Sequence, residues 1–158
     1  MRAETTFGVT EAARITGISR DRLADWLSRG IFRPERPQRE MRPELSMRDL
    51  LRIYLALHLR ALGLRPEDAF QVPYALVGDP STRAEQDAGL VRLLEDPGAW
   101  PTWREVVVRK AGSGIGYTWD ELVQLQRQEP VIIVPLRPLA RDLLSRVQDY
   151  LGKGEATG

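Results

Sequence analysis

The chain contains no cysteine, which excludes disulfides, thiolate metal sites and cysteine nucleophiles together. It has one histidine, His58, so neither a histidine pair for zinc nor a histidine relay can be assembled. No run approaches the roughly 18 apolar residues of a membrane span. The segment Met1–Phe7 lacks the apolar centre of a signal peptide, and the expectation is a soluble, cytoplasmic protein. Lysine is nearly missing: of 23 basic residues only Lys110 and Lys153 are not arginine. That bias fits a GC-rich genome as readily as selection for forked phosphate contacts. At 158 residues, 42% hydrophobic and 28% charged, the composition is that of a folded globular protein of one domain or two small ones.

The net charge of +1 conceals two unequal halves. Residues 1–65 hold 13 arginines against 8 acidic residues, whereas residues 66–158 hold 10 basic against 14 acidic. A basic N-terminal half beside an acidic remainder points to nucleic acid on one side only.

Helical periodicity and punctuation organise the first 70 residues. Val9, Ala12, Ala13 and Ile15 form one stripe, with Thr10 as the expected cap and Gly17 as the stop. Ser19 caps a second helix carrying Leu23, Trp26 and Leu27, which Gly30 closes in a left-handed position. Two short helices joined at Gly17-Ile18 have the spacing of a helix-turn-helix. Pro34, Pro37 and Pro43 then forbid helix, and arginines 33, 36, 39 and 42 recur every third residue. In an extended proline-rich conformation that spacing aligns them on one side. Such an edge either neutralises phosphates or is a solvated loop balanced by Glu35, Glu40 and Glu44. Ser46 caps a long helix, with Asp49 near its positive end, that is apolar around most of its circumference from Leu50 to Leu62. Gly63 stops it, and Pro66 opens another.

Beyond a boundary at Gly78-Asp-Pro80, the pattern mixes helix and strand. Thr82–Glu85 has capping-box spacing ahead of Leu90–Leu94, and Asp96-Pro-Gly98 ends that helix. Val106–Val108 reads as a strand, Ala111–Gly116 as a flexible hairpin tip, and Thr118–Glu121 as a second capping box. Val131–Val134 reads as a strand. Leu139, Leu143, Leu144, Val147 and Leu151 share one face of a final helix, a plausible dimer surface. Residues 152–158 are expected to be a frayed tail.

No enzyme emerges from these residues. Gly112–Gly116 lacks both phosphate-loop spacings. The carboxylate pairs Glu95-Asp96 and Asp120-Glu121 have no histidine, lysine or cysteine set around them. His58 reads as a hydrogen-bonded core or rim residue between Tyr54 and Leu62. Trp100, Trp103, Tyr117 and Trp119 serve a small core, a ligand pocket or an interface anchor. No cofactor or metal is expected.

The run Val9–Ser19, then Arg22-Leu23, Trp26, Gly30-Ile-Phe32, Pro34, Arg36, Arg42, Ser46 and Asp49-Leu50, continued by Arg60–Asp68, resembles the MerR family of transcription regulators. The likeness covers about residues 7–70. It implies a winged helix-turn-helix whose second helix, about Ser19–Ser28, enters the major groove while a basic wing reaches the flanking backbone. The DNA-contacting set so implied is Thr10, Ser19, Arg20, Arg22, Trp26, Arg33, Arg36, Arg39 and Arg42. Trp26 stands where the family commonly has a tyrosine on the DNA backbone, although its spacing from Leu23 and Leu27 favours at least partial burial. Three departures stand out. Ala24 replaces a usual arginine, Asp25 adds negative charge to the same surface, and Pro73, Gly78 and Pro80 break the region of the family's long dimerisation helix.

The expected fold is therefore α+β, mainly α. A winged helix at 5–75 precedes a C-terminal α+β module at 81–151 that dimerises or binds a partner. The expected function is sequence-specific transcription regulation on double-stranded DNA as a homodimer. Alternatives are a protein-interaction module on a winged-helix scaffold and a phage-type excision or packaging factor. The absence of cysteine argues against thiolate metal sensing.

Overall fold

The computed structural model describes residues 5–35, 42–70, 105–109, 112–114 and 119–155. The fold is α+β and mainly α. Strand β1 (Thr6–Phe7) leads into helix α1 (Val9–Thr16) and helix α2 (Arg20–Ser28). Strand β2 (Leu45–Ser46) pairs antiparallel with β1, Phe7 opposite Leu45, and passes without a break into α3 (Met47–Ala61).

Local chemistry accounts for each helix end. Gly8, not Thr10, is the N-cap of α1, because the Glu11 carboxylate accepts from the Gly8 amide at 2.7 Å and starts the helix earlier than expected. Gly17 ends α1 at φ +82°, a left-handed conformation that glycine adopts without steric cost. The Ser19 hydroxyl accepts from the Arg22 amide at 3.3 Å and caps α2. At α3 Ser46 and Asp49 form a reciprocal capping box, each side chain accepting from the other's backbone amide.

The core gathers Ala12, Ile15, Leu23, Trp26, Phe32 and Leu45 around Leu50, Ile53 and Leu59 of α3. A helical stretch at residues 66–70 closes it. Phe70 meets Trp26 edge-on with ring centroids 5.1 Å apart and lies 5.2 Å from Phe32.

In the second half, β3 (Glu105–Arg109) is the central strand of a three-stranded antiparallel sheet between β4 (Gly112–Gly114) and β5 (Ile132–Pro135). Gly112-Ser-Gly114, expected within a hairpin tip, is instead the returning strand, with Val107 opposite Gly114. Helix α4 (Trp119–Gln128) precedes β5, which runs directly into α5 (Leu136–Glu155). The expected turn at 78–80, the helix through Leu90–Leu94, and Trp100, Trp103 and Tyr117 lie outside the described residues.

The largest departure from expectation concerns α5. Its apolar stripe does not present a dimer surface. Leu139, Ala140, Leu143 and Val147 are buried in the same core as α1 and α3. The cause lies in α3, from which ten residues are buried, so α1 and α2 alone cannot cover it. Leu151, assigned to the same stripe, is 39% exposed. The helix also persists to Glu155, so residues 152–155 are not a frayed tail.

Polar contacts fasten this helix. The Tyr54 hydroxyl donates to Asp142 Oδ2, and Arg146 Nε donates to the same oxygen at 2.9 Å. The Tyr54 hydroxyl and the Arg146 guanidinium hold the Asp142 carboxyl below its ordinary 3.8. The folded form thus takes up this proton less readily than the unfolded chain. The stabilisation is complete above 3.8 and is lost as pH falls below it through the folded value. Asp142→Asn should therefore flatten the decline in melting temperature between about pH 4 and pH 3, read by thermal melts of both proteins.

Candidate nucleic-acid interface

Arg20 is the first residue of α2 and is exposed, and its Nε donates to the Thr10 hydroxyl at 3.1 Å. This bond ties the first turn of α1 to the first turn of α2. Both first turns carry unsatisfied amides and the positive ends of their helix dipoles. Arg22, two residues further along α2, is also exposed, as is Ser19, whose hydroxyl is engaged as the cap. Two helix N-termini, the Arg20 guanidinium and the Thr10 hydroxyl meet in one patch, an arrangement suited to a phosphate oxygen.

Acidic residues also lie on α2. Asp21 and Asp25 are exposed. Asp25 accepts from Arg29 at 3.3 Å, and Arg29 reaches Glu67 at 3.8 Å, so the departure at Asp25 is partly neutralised within the helix. Ala24 is exposed and supplies no charge.

Trp26 requires correction as a surface contact. It is 2% exposed, its ring packs on Phe70, and the Arg60 guanidinium lies 5.6 Å above it. An indole so enclosed belongs to the core and cannot be laid along a phosphate. Arg33 and Arg42 are exposed at the two sides of the arm, whereas Arg36 and Arg39 lie outside the described residues.

Both ends of that arm are pinned to α3 by a buried charge cluster that sequence reasoning missed. Arg52, 1% exposed, pairs with Asp49 at 3.1 Å and Glu35 at 3.2 Å. Glu35 also receives Arg48 at 3.1 Å and the Ser46 hydroxyl at 2.9 Å. Asp49, fully buried, accepts from the amides of Glu35 at 3.2 Å and Ser46 at 3.0 Å. Burial pushes the Asp49 carboxyl above its ordinary value, with the Ser46 amide and Arg52 opposing that rise. Glu35 is therefore no solvated counter-charge for the arm. The available signal was an acid and an arginine three apart on a helix that is apolar around most of its circumference.

His58 is exposed at the rim of α3, its Nδ1 2.9 Å from the Tyr54 carbonyl. Among the described residues no three His, Cys, Asp or Glu side chains come together to hold a metal, and no helix is long and apolar enough to cross a membrane.

Comparison with known families places this geometry. Residues 7–72, less than half of the chain, match the model of the MerR HTH family regulatory proteins. No curated protein matches the chain. The matched stretch contains the helix-turn-helix, the arm and the long helix α3, in the order in which the residues of the sequence suggested them. Residues 7–72 are a MerR-type helix-turn-helix domain.

Proposed function

We propose that this chain is a sequence-specific DNA-binding transcription regulator that acts in the cytoplasm by binding and without catalysis. DNA binding and transcription regulation are the function of the family to which the N-terminal domain belongs. The observation that carries the finer reading is the Thr10–Arg20 bond, which sets an exposed guanidinium where two helix N-termini meet. In this reading Thr10, Ser19 and Arg20 clamp the phosphate backbone, and Arg22 faces base edges in the major groove. Arg33 and Arg42, with Arg36 and Arg39, bring the arm to the adjoining backbone. Two copies would read an inverted repeat. With the α5 stripe already buried, the homodimer contact falls on the remainder of the C-terminal half.

A second reading draws on Asp21, Asp25 and Ala24, which lower the positive charge of α2. They favour a protein-interaction module that has kept the scaffold and lost readout. One experiment separates the two: selection of genomic DNA fragments on the purified protein at about 150 mM salt, alongside the Arg20→Glu/Arg42→Glu variant. Enrichment of one inverted repeat, lost in the variant, is the expected result. Retention of all fragments alike, sensitive to salt, would indicate an architectural or packaging factor instead. No retention at all would leave the interaction module.

A further inference from the structure

The residues that reach from α5 to the N-terminal helices lead to the proposed contact patch. Tyr150, half-buried on α5, donates its hydroxyl to Glu11 Oε1 at 3.0 Å. The other oxygen of that carboxylate holds the Gly8 amide at 2.7 Å, so one side chain joins α5 to the first turn of α1. The next residue back is Thr10, whose hydroxyl holds Arg20. One helical turn before Tyr150, Arg146 lies over the Tyr54 ring with its guanidinium carbon 5.3 Å from the centroid. A β-carbon added at Gly17 would lie 3.7 Å from Arg146 Nη1, so this arginine also abuts the α1–α2 turn. Asp142 completes the contact by accepting from Tyr54 and Arg146.

These contacts touch α1 at both ends. α1 has eight residues, too few to hold a helix in place by its own hydrogen bonds. It buries Ala12, Ala13, Ile15 and Thr16, a small apolar area for an element that must present Thr10 in fixed geometry. α5 supplies the missing constraint. It is a rod of 20 residues, about 30 Å long, that starts at β5 without a linker.

We infer that α5 is a strap that holds α1 in the position from which Thr10 orients Arg20, which makes the DNA-binding unit discontinuous: residues 5–70 together with 136–155. Tyr150 and Tyr54 are its positioning residues. They touch no DNA and act through Glu11 and through the Asp142–Arg146 pair. Because α5 continues β5, a displacement of the C-terminal sheet along the rod reaches α1 directly. The inference rests on the DNA-binding reading for its consequence, and on geometry alone for the strap.

Tyr54→Phe/Tyr150→Phe in the full chain tests it, since both substitutions keep the rings and remove only the hydroxyl donors. Amide hydrogen exchange should accelerate roughly tenfold across Val9–Thr16 while the centre of α3 is unchanged, and affinity for the selected DNA fragment should fall by a similar factor. Unchanged exchange in α1 overturns the strap. Faster exchange in α1 with undiminished affinity overturns the positioning of Arg20. Should the double variant fail to fold, Tyr150→Phe alone gives the same two readouts. If the wild-type chain retains no DNA, the regulator reading fails, and exchange in α1 still decides whether α5 restrains it.

Discussion

Replacing Asp49 with alanine is expected to cost about 3–5 kcal/mol of stability, a large share of the roughly 5–15 kcal/mol available to a domain. The substitution removes the closer carboxylate from Arg52, leaves the Glu35 and Ser46 amides without their acceptor, and dismantles the capping box of α3. A guanidinium that is 1% exposed cannot recover its hydration by a small movement. Urea unfolding followed by circular dichroism reads the effect as a shift in midpoint at constant slope. The second half of the test is Asp49→Ala/Arg52→Met, in which the charge is removed together with its partner. Glu35 keeps Arg48 and the Ser46 hydroxyl, so much of the lost stability should return. A double variant as unstable as the single one would show that the lost backbone hydrogen bonds, not the stranded charge, set the cost.

The second large effect is on DNA. Reversing charge at Arg20 and Arg42 together should lower affinity by at least about a hundredfold at 0.15 M salt, because two phosphate attractions become repulsions. Single replacements by alanine carry more information. For each phosphate contact removed, the slope of log affinity against log salt should become shallower by about 0.9. Arg20→Ala and Arg42→Ala should each show this change. Arg127→Ala, on the exposed side of α4, should leave the slope where it was. Fluorescence anisotropy between about 50 and 200 mM salt measures all three. A slope that none of these substitutions alters would remove the α2 terminus and the arm from the DNA interface.

These two effects meet at the arm. Charge on the arm is useful to DNA only if its ends are held, and Glu35 at one side and Ser46 at the other are both fastened to Asp49. In the proposed reading the buried cluster also presents Arg33 and Arg42 to DNA, and Asp49→Ala is expected to weaken DNA binding even under conditions where the domain remains folded.

Much of this domain can be read along the chain because its instructions are local. Gly17 and Gly30 adopt the positive φ values of 82° and 67° that their places after two helices call for. Ser19 and Ser46 cap the helices that follow them. Capping, turns and helical period depend on residues three or four apart, and those distances are set by the backbone. The strands at Val106–Val108 and Val131–Val134 appear within a residue or so of their apolar runs for the same reason. The helix-turn-helix, its basic first turn and its family are thus carried by the order of the residues.

Contacts between residues far apart in the chain were decided only in three dimensions. The spacing of Trp26 from Leu23 and Leu27 favours burial without naming what covers the ring, and Phe70, from beyond the end of α3, supplies that cover. Glu35 read as one acid among the arginines of the arm until α3 brought Arg52 and Asp49 beneath it. The stripe from Leu139 to Val147 specifies that α5 must cover something, because apolar period fixes which face is buried. It does not specify whether a second copy or its own α1 and α3 lie beneath. That choice belongs to the fold, which packs Leu139, Ala140, Leu143 and Val147 of α5 into the core with α1 and α3.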